Sequence, residues 1–117
     1  MNPETAHQRR IMLAHSRDDT RLFRNNVGVA TYPDGEKVAY GLCPGSSDLI
    51  GWRTVAVTPD MVGKRVAVFA AIEAKTESGR LTLKQRNFLD AVRAAGGIAG
   101  VARTVEEAAE VLRQGQP

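Results

Sequence analysis

The chain is short of cysteine, aromatic residues and long apolar runs, and each shortage removes a class of protein. A lone Cys43 can build neither an internal disulfide framework nor a cysteine-rich zinc site, which points to a reducing compartment. With no nucleophile signature around it, Cys43 reads as a small buried hydrophobe. Aromatics make up 5% of the sequence, too few for a broad base-stacking platform. The longest strictly apolar run, Val66 to Ile72, covers seven residues, where a membrane helix needs roughly 20. Met1 to Arg10 has no apolar signal region. The expectation is a cytoplasmic protein with no membrane association.

What is present describes one ordinary globular domain over residues 1–117. Hydrophobic residues reach 43%, enough to bury a single core. The net charge is +3, and 12 of the 16 basic residues are arginine. A guanidinium fork matches phosphate oxygens, so this bias suits phosphate as a partner, although a solvated arginine-rich surface would give the same composition.

Asn2, Pro3 and Glu4 form a helix start, and residues 3 to 16 read as a helix. Extended chain begins near Leu22, and Pro33-Asp34-Gly35 reads as a hairpin turn between two short strands. After a breaker cluster at residues 43 to 47, "DLIGWRTVAV" and "RVAVFAAIEAK" read as a long antiparallel hairpin, the second strand covered on both faces in mid-sheet. Thr82 with Gln85 has the form of a capping box before a helix that Gly96 and Gly97 stop. "IAGVA" is a strand, Thr104 with Glu107 is a second capping box before a last helix, and residues 114 to 117 read as a frayed tail. The order is mixed α/β: helix, three or four antiparallel strands, helix, strand, helix.

Alternation along the strand before Thr76 puts Glu73 and Lys75 on one face. A symmetric hairpin pairing Val57 with Val66 sets Asp48 opposite Lys75 and Ile50 opposite Glu73, within roughly 5 Å. A slip of one residue in register would undo that arrangement. Two carboxylates make a hard oxygen site suited to Mg²⁺ or Mn²⁺, which polarises a phosphate and acidifies a bound water. A neighbouring lysine can orient or help deprotonate the water and stabilise the charge that develops. Spacing alone leaves a plainer account open, in which Glu73 and Lys75 are solvated strand-end residues and Asp48 belongs to a turn. Trp52 reads as a packing residue, and His7 and His15 lie too far apart on their helix for a metal pair.

The ordered set Gly45-Ser-Ser-Asp48-Leu-Ile-Gly51, Glu73-Ala-Lys75 and Gly79-Arg-Leu-Thr-Leu-Lys-Gln85-Arg-Asn-Phe88 closely resembles the VRR-NUC (virus-type replication-repair nuclease) family of the PD-(D/E)XK superfamily. The resemblance runs over about residues 4 to 100 and implies a restriction-endonuclease-like core, a mixed central β-sheet flanked by helices. It further implies Asp48 and Glu73 as metal ligands, Lys75 as the catalytic lysine, and Gln85 close to the site. Glu4, in the pattern Glu4-x-x-x-Gln8, matches an acidic residue on the first helix that often completes such sites, although the helix macrodipole favours Glu there in any case. Gln85 equally suits a purely capping role. Ser47 stands where many members have proline, with Pro44 three residues earlier.

Arg24-Asn25-Asn26-Val27-Gly28 resembles a stretch found early in the family, with a structural or substrate-facing role, and a surface polar turn is the competing reading. Arg24, Arg53, Arg80, Lys84 and Arg86 are the candidates for DNA phosphate contacts. Small stand-alone members of phages and bacteria are homodimers that cut four-way DNA junctions. The resemblance therefore implies a Mg²⁺- or Mn²⁺-dependent endodeoxyribonuclease acting as a Holliday-junction resolvase in a bacterium or phage-infected host cell. The alternatives are an enzyme for flaps or other DNA, and a non-catalytic nucleic-acid-binding subunit with a nuclease fold.

Overall fold

The structure is a computed structural model that describes residues 1–114; the part of the expected frayed tail at residues 115 to 117 lies outside them. The chain forms two compact units, one spanning Met1–Arg53 and one beginning at Thr54. The class is mixed α/β: the described residues form three α-helices with antiparallel and parallel strand pairs.

In the first unit, α1 (Pro3–His15) begins where expected, with the Asn2 side chain accepting from the Thr5 amide at 2.7 Å and Pro3 in the first turn. At its other end Ser16 is tied to the next strand: its Oγ accepts from the Leu22 amide at 2.8 Å. Strand β1 (Thr20–Arg24) pairs antiparallel with β4 (Leu49–Arg53), setting Phe23 opposite Ile50 and Arg24 opposite Leu49. Trp52 packs as a half-buried ring against Phe23, with centroids 5.6 Å apart. Strands β2 (Gly28–Thr31) and β3 (Lys37–Tyr40) form the hairpin around Pro33-Asp34-Gly35, in which the Tyr32 amide donates to Glu36 O at 2.8 Å. Gly41 follows at φ +89, where an added Cβ would run into the Asn26 carbonyl, so the chain needs glycine to turn there. Cys43 is exposed, contrary to its reading as a buried hydrophobe, because it lies in the loop leading to β4 rather than on an element.

The second unit holds every buried apolar side chain among the described residues: Leu89, Val92, Ala99, Ala102 and Val111. Strand β5 (Ala70–Ala74) pairs in parallel with β6 (Ile98–Ala102), and α2 (Leu83–Ala94) makes the crossover that parallel pairing requires. Both α2 and α3 (Val105–Leu112) pack on β6, so the covered strand is the short, small-residue "IAGVA" segment. Helix α2 ends at Gly96, φ +98, whose amide bonds to Arg93 O at 3.0 Å. At α3 the second capping box is half realised. Thr104 Oγ1 accepts from the Glu107 amide at 3.0 Å, but the Glu107 carboxylate reaches one residue further back, to the Arg103 amide at 2.6 Å. None of the described helices is long and apolar enough to cross a membrane.

The expected hairpin between residues 48–57 and 66–75 is not among the ladders. Strand order stops at Arg53 and resumes at Ala70, with one turn of 3-10 helix at Pro59–Met61 between them. The ladder partner of β4 is β1 and that of β5 is β6, so the cross-strand placement of Asp48 opposite Lys75 has no ladder behind it. Nor is β5 covered on both faces: Ala71 and Glu73 are half-buried while Ala70, Ile72 and Ala74 are exposed. A run of alternating Val and Ala is compatible with a hairpin, but the cap at Thr82 and the glycine stop at Gly96 set up a β-α-β crossover that commits β5 to β6.

Candidate active site

The polar end of β5 is the best-defined cluster in the second unit. Glu73 and Lys75 lie on one side of the strand, as alternation requires, with Lys75 Nζ 3.7 Å from Glu73 Oε1. The Lys75 side chain is 18% exposed and that of Glu73 31%, so the pair is sheltered yet open to a ligand. Lys75 is held at its backbone as well, its amide donating to Ala102 O at 3.0 Å and extending the β5–β6 ladder by one residue.

Gln85 joins this pair through its position at the start of α2, where it both caps the helix and bonds to Glu73. Its Oε1 accepts from the Thr82 amide at 2.9 Å, while its own amide donates to Thr82 Oγ1 at 3.1 Å, completing the capping box. Its Nε2 donates to Glu73 Oε1 at 2.9 Å. A bifunctional side chain thus locks the helix start and the Glu73 carboxylate together. Both contacts to Glu73, from Lys75 and from Gln85, fall on Oε1, so the other carboxylate oxygen is not used by either.

In the first unit a second cleft is lined by Glu4, Gln8, Arg24, Asn25 and Asp48. Asp48 stands immediately before β4, and its carbonyl accepts from the Asn25 amide at 2.8 Å, continuing the β1–β4 ladder by one step. The Asn25 side chain fixes the approach to Asp48: Nδ2 donates to Ser46 Oγ at 2.7 Å and to Ser47 O at 3.0 Å, and Oδ1 accepts from the Leu42 amide at 2.9 Å. Asn25 is the buried polar residue of the described chain and has all its side-chain groups engaged. That gives the Arg24-to-Gly28 stretch a structural role at Asn25, while Arg24 Nη2 donates to Asn26 Oδ1 at 3.1 Å and lines the cleft.

Gln8 Oε1 is buried in that cleft with no hydrogen-bond partner. A buried acceptor left unpaired is costly, on the order of 1–3 kcal/mol, unless something supplies positive charge or a donor. Glu4, Asp48 and Gln8 together offer an all-oxygen donor set, the chemistry of a hard divalent cation that keeps several of its own waters. Among the described residues no three of His, Cys, Asp and Glu come together, so the cleft has two carboxylates and an amide oxygen rather than a carboxylate triad.

The basic residues divide. Arg80 and Arg86 line a cleft of the second unit with Arg103 and Glu107, whereas Lys84 is exposed on α2 and is not among its lining residues. Arg53, at the end of β4, lies 3.7 Å from Asp19 and so is already ion-paired at the surface. Three residues outside the candidate site set take part in these clusters: Gln8, which the sequence shows only as part of the Glu4 pattern, Asn25, which it shows only within the Arg24-to-Gly28 stretch, and Arg103. The i, i+4 spacing of Glu4 and Gln8 on one helix face was the legible signal for Gln8, and the resemblance of the Arg24-to-Gly28 stretch was that for Asn25; Arg103 acts through bonds to a distant turn and had none.

Comparison with known proteins gives one family: the model of the VRR-NUC domain matches residues 4–106. No curated protein and no solved structure matches the chain significantly.

Proposed function

The chain belongs to the VRR-NUC domain family, whose domain is a nuclease of the PD-(D/E)XK type, and from that membership we propose a Mg²⁺- or Mn²⁺-dependent endodeoxyribonuclease that resolves four-way DNA junctions as a homodimer. Nuclease domains of this type generally use divalent metals, and DNA is the substrate the domain suggests. The observation that carries the catalytic reading is the convergence of Lys75 Nζ and Gln85 Nε2 on one oxygen of Glu73, at 3.7 and 2.9 Å. A strand end that served only as solvated surface would need neither the second donor nor the shelter.

Each side chain then has a task in phosphodiester hydrolysis. Gln85 holds the Glu73 carboxylate in one rotamer by its bond to Oε1, and Glu73 would serve as an oxygen ligand to a divalent metal. Glu73 is the proposed metal ligand of the second unit; Asp48 and Glu4, with Gln8 Oε1 as a further oxygen donor, are the proposed ligands of the first. When bound, the metal polarises the phosphate and lowers the pKa of a coordinated water. Lys75 orients the attacking water and neutralises charge that builds on the phosphate oxygens as the leaving oxygen departs. Arg24, Arg80, Lys84 and Arg86 are the proposed backbone contacts, which hold the duplex arms without reading bases. Arg53 would join them only by giving up Asp19.

A homodimer would suit the junction reading physically, because a two-fold pair of sites would make two symmetric nicks. The proposed setting is the cytoplasm of a bacterium or of a phage-infected host cell. The test is to incubate the protein with Mg²⁺ or Mn²⁺ and labelled junction, flap, nicked and linear DNA, with the oligomeric state read by light scattering. Junction cleavage should fall by about 100-fold or more in Glu73→Ala and Lys75→Ala. Cleavage unaffected by either substitution defeats the catalytic assignment; binding without cleavage of any substrate leaves a nucleic-acid-binding subunit; and preference for flaps corrects the substrate alone.

A further inference from the structure

Lys75 is followed at once by the turn Thr76-Glu77-Ser78-Gly79, closed by the Gly79 amide donating to Thr76 O at 3.1 Å. Gly79 leaves open the space beside the lysine stem: a Cβ there would come within 3.5 Å of Lys75 Cδ. The turn is thus joined to Lys75 through the chain at Thr76 and borders the space its stem runs through, and one residue from another element holds the turn in place. Arg103, the first residue after β6, donates from Nη1 to both Thr76 O and Gly79 O, at 2.6 Å each.

We propose that Arg103 is a positioning residue for Lys75, acting through the 76–79 turn. The proposal rests on the reading of Lys75 as the catalytic lysine. The bonds are charge-assisted and short, and one planar nitrogen grips the first and last carbonyls of the turn, so the turn is pinned as a unit. Arg103 is itself anchored, because the Glu107 carboxylate accepts from its backbone amide at 2.6 Å and the preceding Ala102 carbonyl takes the Lys75 amide. The strand that holds the Lys75 backbone thus also supplies the clamp for its side chain. Arg103 lines the same cleft as Arg80 and Arg86, but the side chains of those two make no hydrogen bond or ion pair among the described residues, whereas Nη1 of Arg103 is spent on the turn. That difference separates a structural clamp from a phosphate contact.

The test compares Arg103→Met, which keeps the apolar stem and removes the donors, with Arg103→Lys, which keeps a three-proton charged donor on a slightly shorter stem. Two readouts need no DNA: hydrogen exchange over residues 76–79, and labelling of Lys75 by an amine-reactive ester followed by peptide mass spectrometry. In Arg103→Met, Lys75 labelling should rise roughly threefold and exchange should accelerate over the turn alone, as local opening becomes easier. On junction DNA, kcat should fall about ten- to a hundredfold with KM within about twofold of wild type, the pattern of a misplaced catalytic group. Arg103→Lys should restore most of each, and it carries the test by itself if Arg103→Met does not fold: raised labelling in a folded lysine variant overturns the proposal.

Wild-type labelling and exchange in Arg103→Met also overturn it. So does a raised KM with unchanged kcat and a shallower salt dependence, which makes Arg103 a phosphate contact. A general loss of protection across α2 and α3 makes it a stability residue only. If the wild-type protein cuts no DNA, the hydrolysis reading falls, while labelling and exchange still decide whether Arg103 holds Lys75.

Discussion

Gln85 shows how much one side chain can be asked to do. Its carbonyl oxygen closes the capping box and its amide nitrogen holds Glu73, so the two ends of the amide can be separated by substitution. Gln85→Glu keeps an acceptor for the Thr82 amide but places a second carboxylate against Glu73, replacing a donor with a like charge. Stability should change by less than about 1 kcal/mol, while nuclease activity falls by at least about tenfold. A urea melt paired with a junction-cleavage rate checks both; equal loss of stability in this variant and in Gln85→Ala would show that the cap, not Glu73, is the sensitive partner.

Asn25 is the corresponding case in the first unit. Two donor bonds and one acceptor bond from its side chain organise the loop from Leu42 to Ser47 ahead of Asp48. Removing a buried amide strands several partners, so Asn25→Ala should cost about 2–3 kcal/mol by denaturant unfolding. The sequence placed Asn25 in a polar stretch and left its role open between a structural or substrate-facing part and a surface polar turn. Burial decides for the structural role, and burial depends on which distant residues close over a side chain.

At the scale of elements, signals three or four residues long were the most legible. The Asn2 and Thr82 caps, the Pro33-Asp34-Gly35 turn and the Gly96 stop are all found, because each is a local bond between near neighbours. The segment from Thr54 to Phe69 was misjudged for the complementary reason. Its Val and Ala alternation fits a strand, yet a strand exists only when another offers it a ladder, and the neighbouring strands are paired elsewhere. Val55, Val57, Val66 and Val68 are consequently exposed. Amides from 62 to 68 should exchange early, and those of β6 and α2 late, in native-state hydrogen exchange. Slow exchange over both 54–57 and 66–69 would restore the hairpin.

For the whole molecule, the arginine bias becomes a prediction about salt. DNA affinity should fall steeply with ionic strength, since every neutralised phosphate releases counterions with a slope of about −0.9 per contact. Substituting Arg80 and Arg86 together by Ala should make the slope shallower by roughly two, read from fluorescence anisotropy over a salt series. Arg53→Ala should change it little, because that guanidinium already sits beside Asp19. A slope unmoved by the double substitution removes the second-unit cleft from the DNA interface.

The sequence by itself determined the mixed α/β class, the helix starts and stops, the shared side of Glu73 and Lys75, and the family, because these rest on local periodicity, capping chemistry and an ordered set of motifs. Only the tertiary structure decided the pairing of β4 with β1 and β5 with β6, the double use of Gln85, the unpaired Gln8 oxygen beside Glu4 and Asp48, and the grip of Arg103 on the turn after Lys75. Each of these joins residues distant along the chain. Such contacts depend on which surfaces the fold brings together, and no short window of sequence contains both partners.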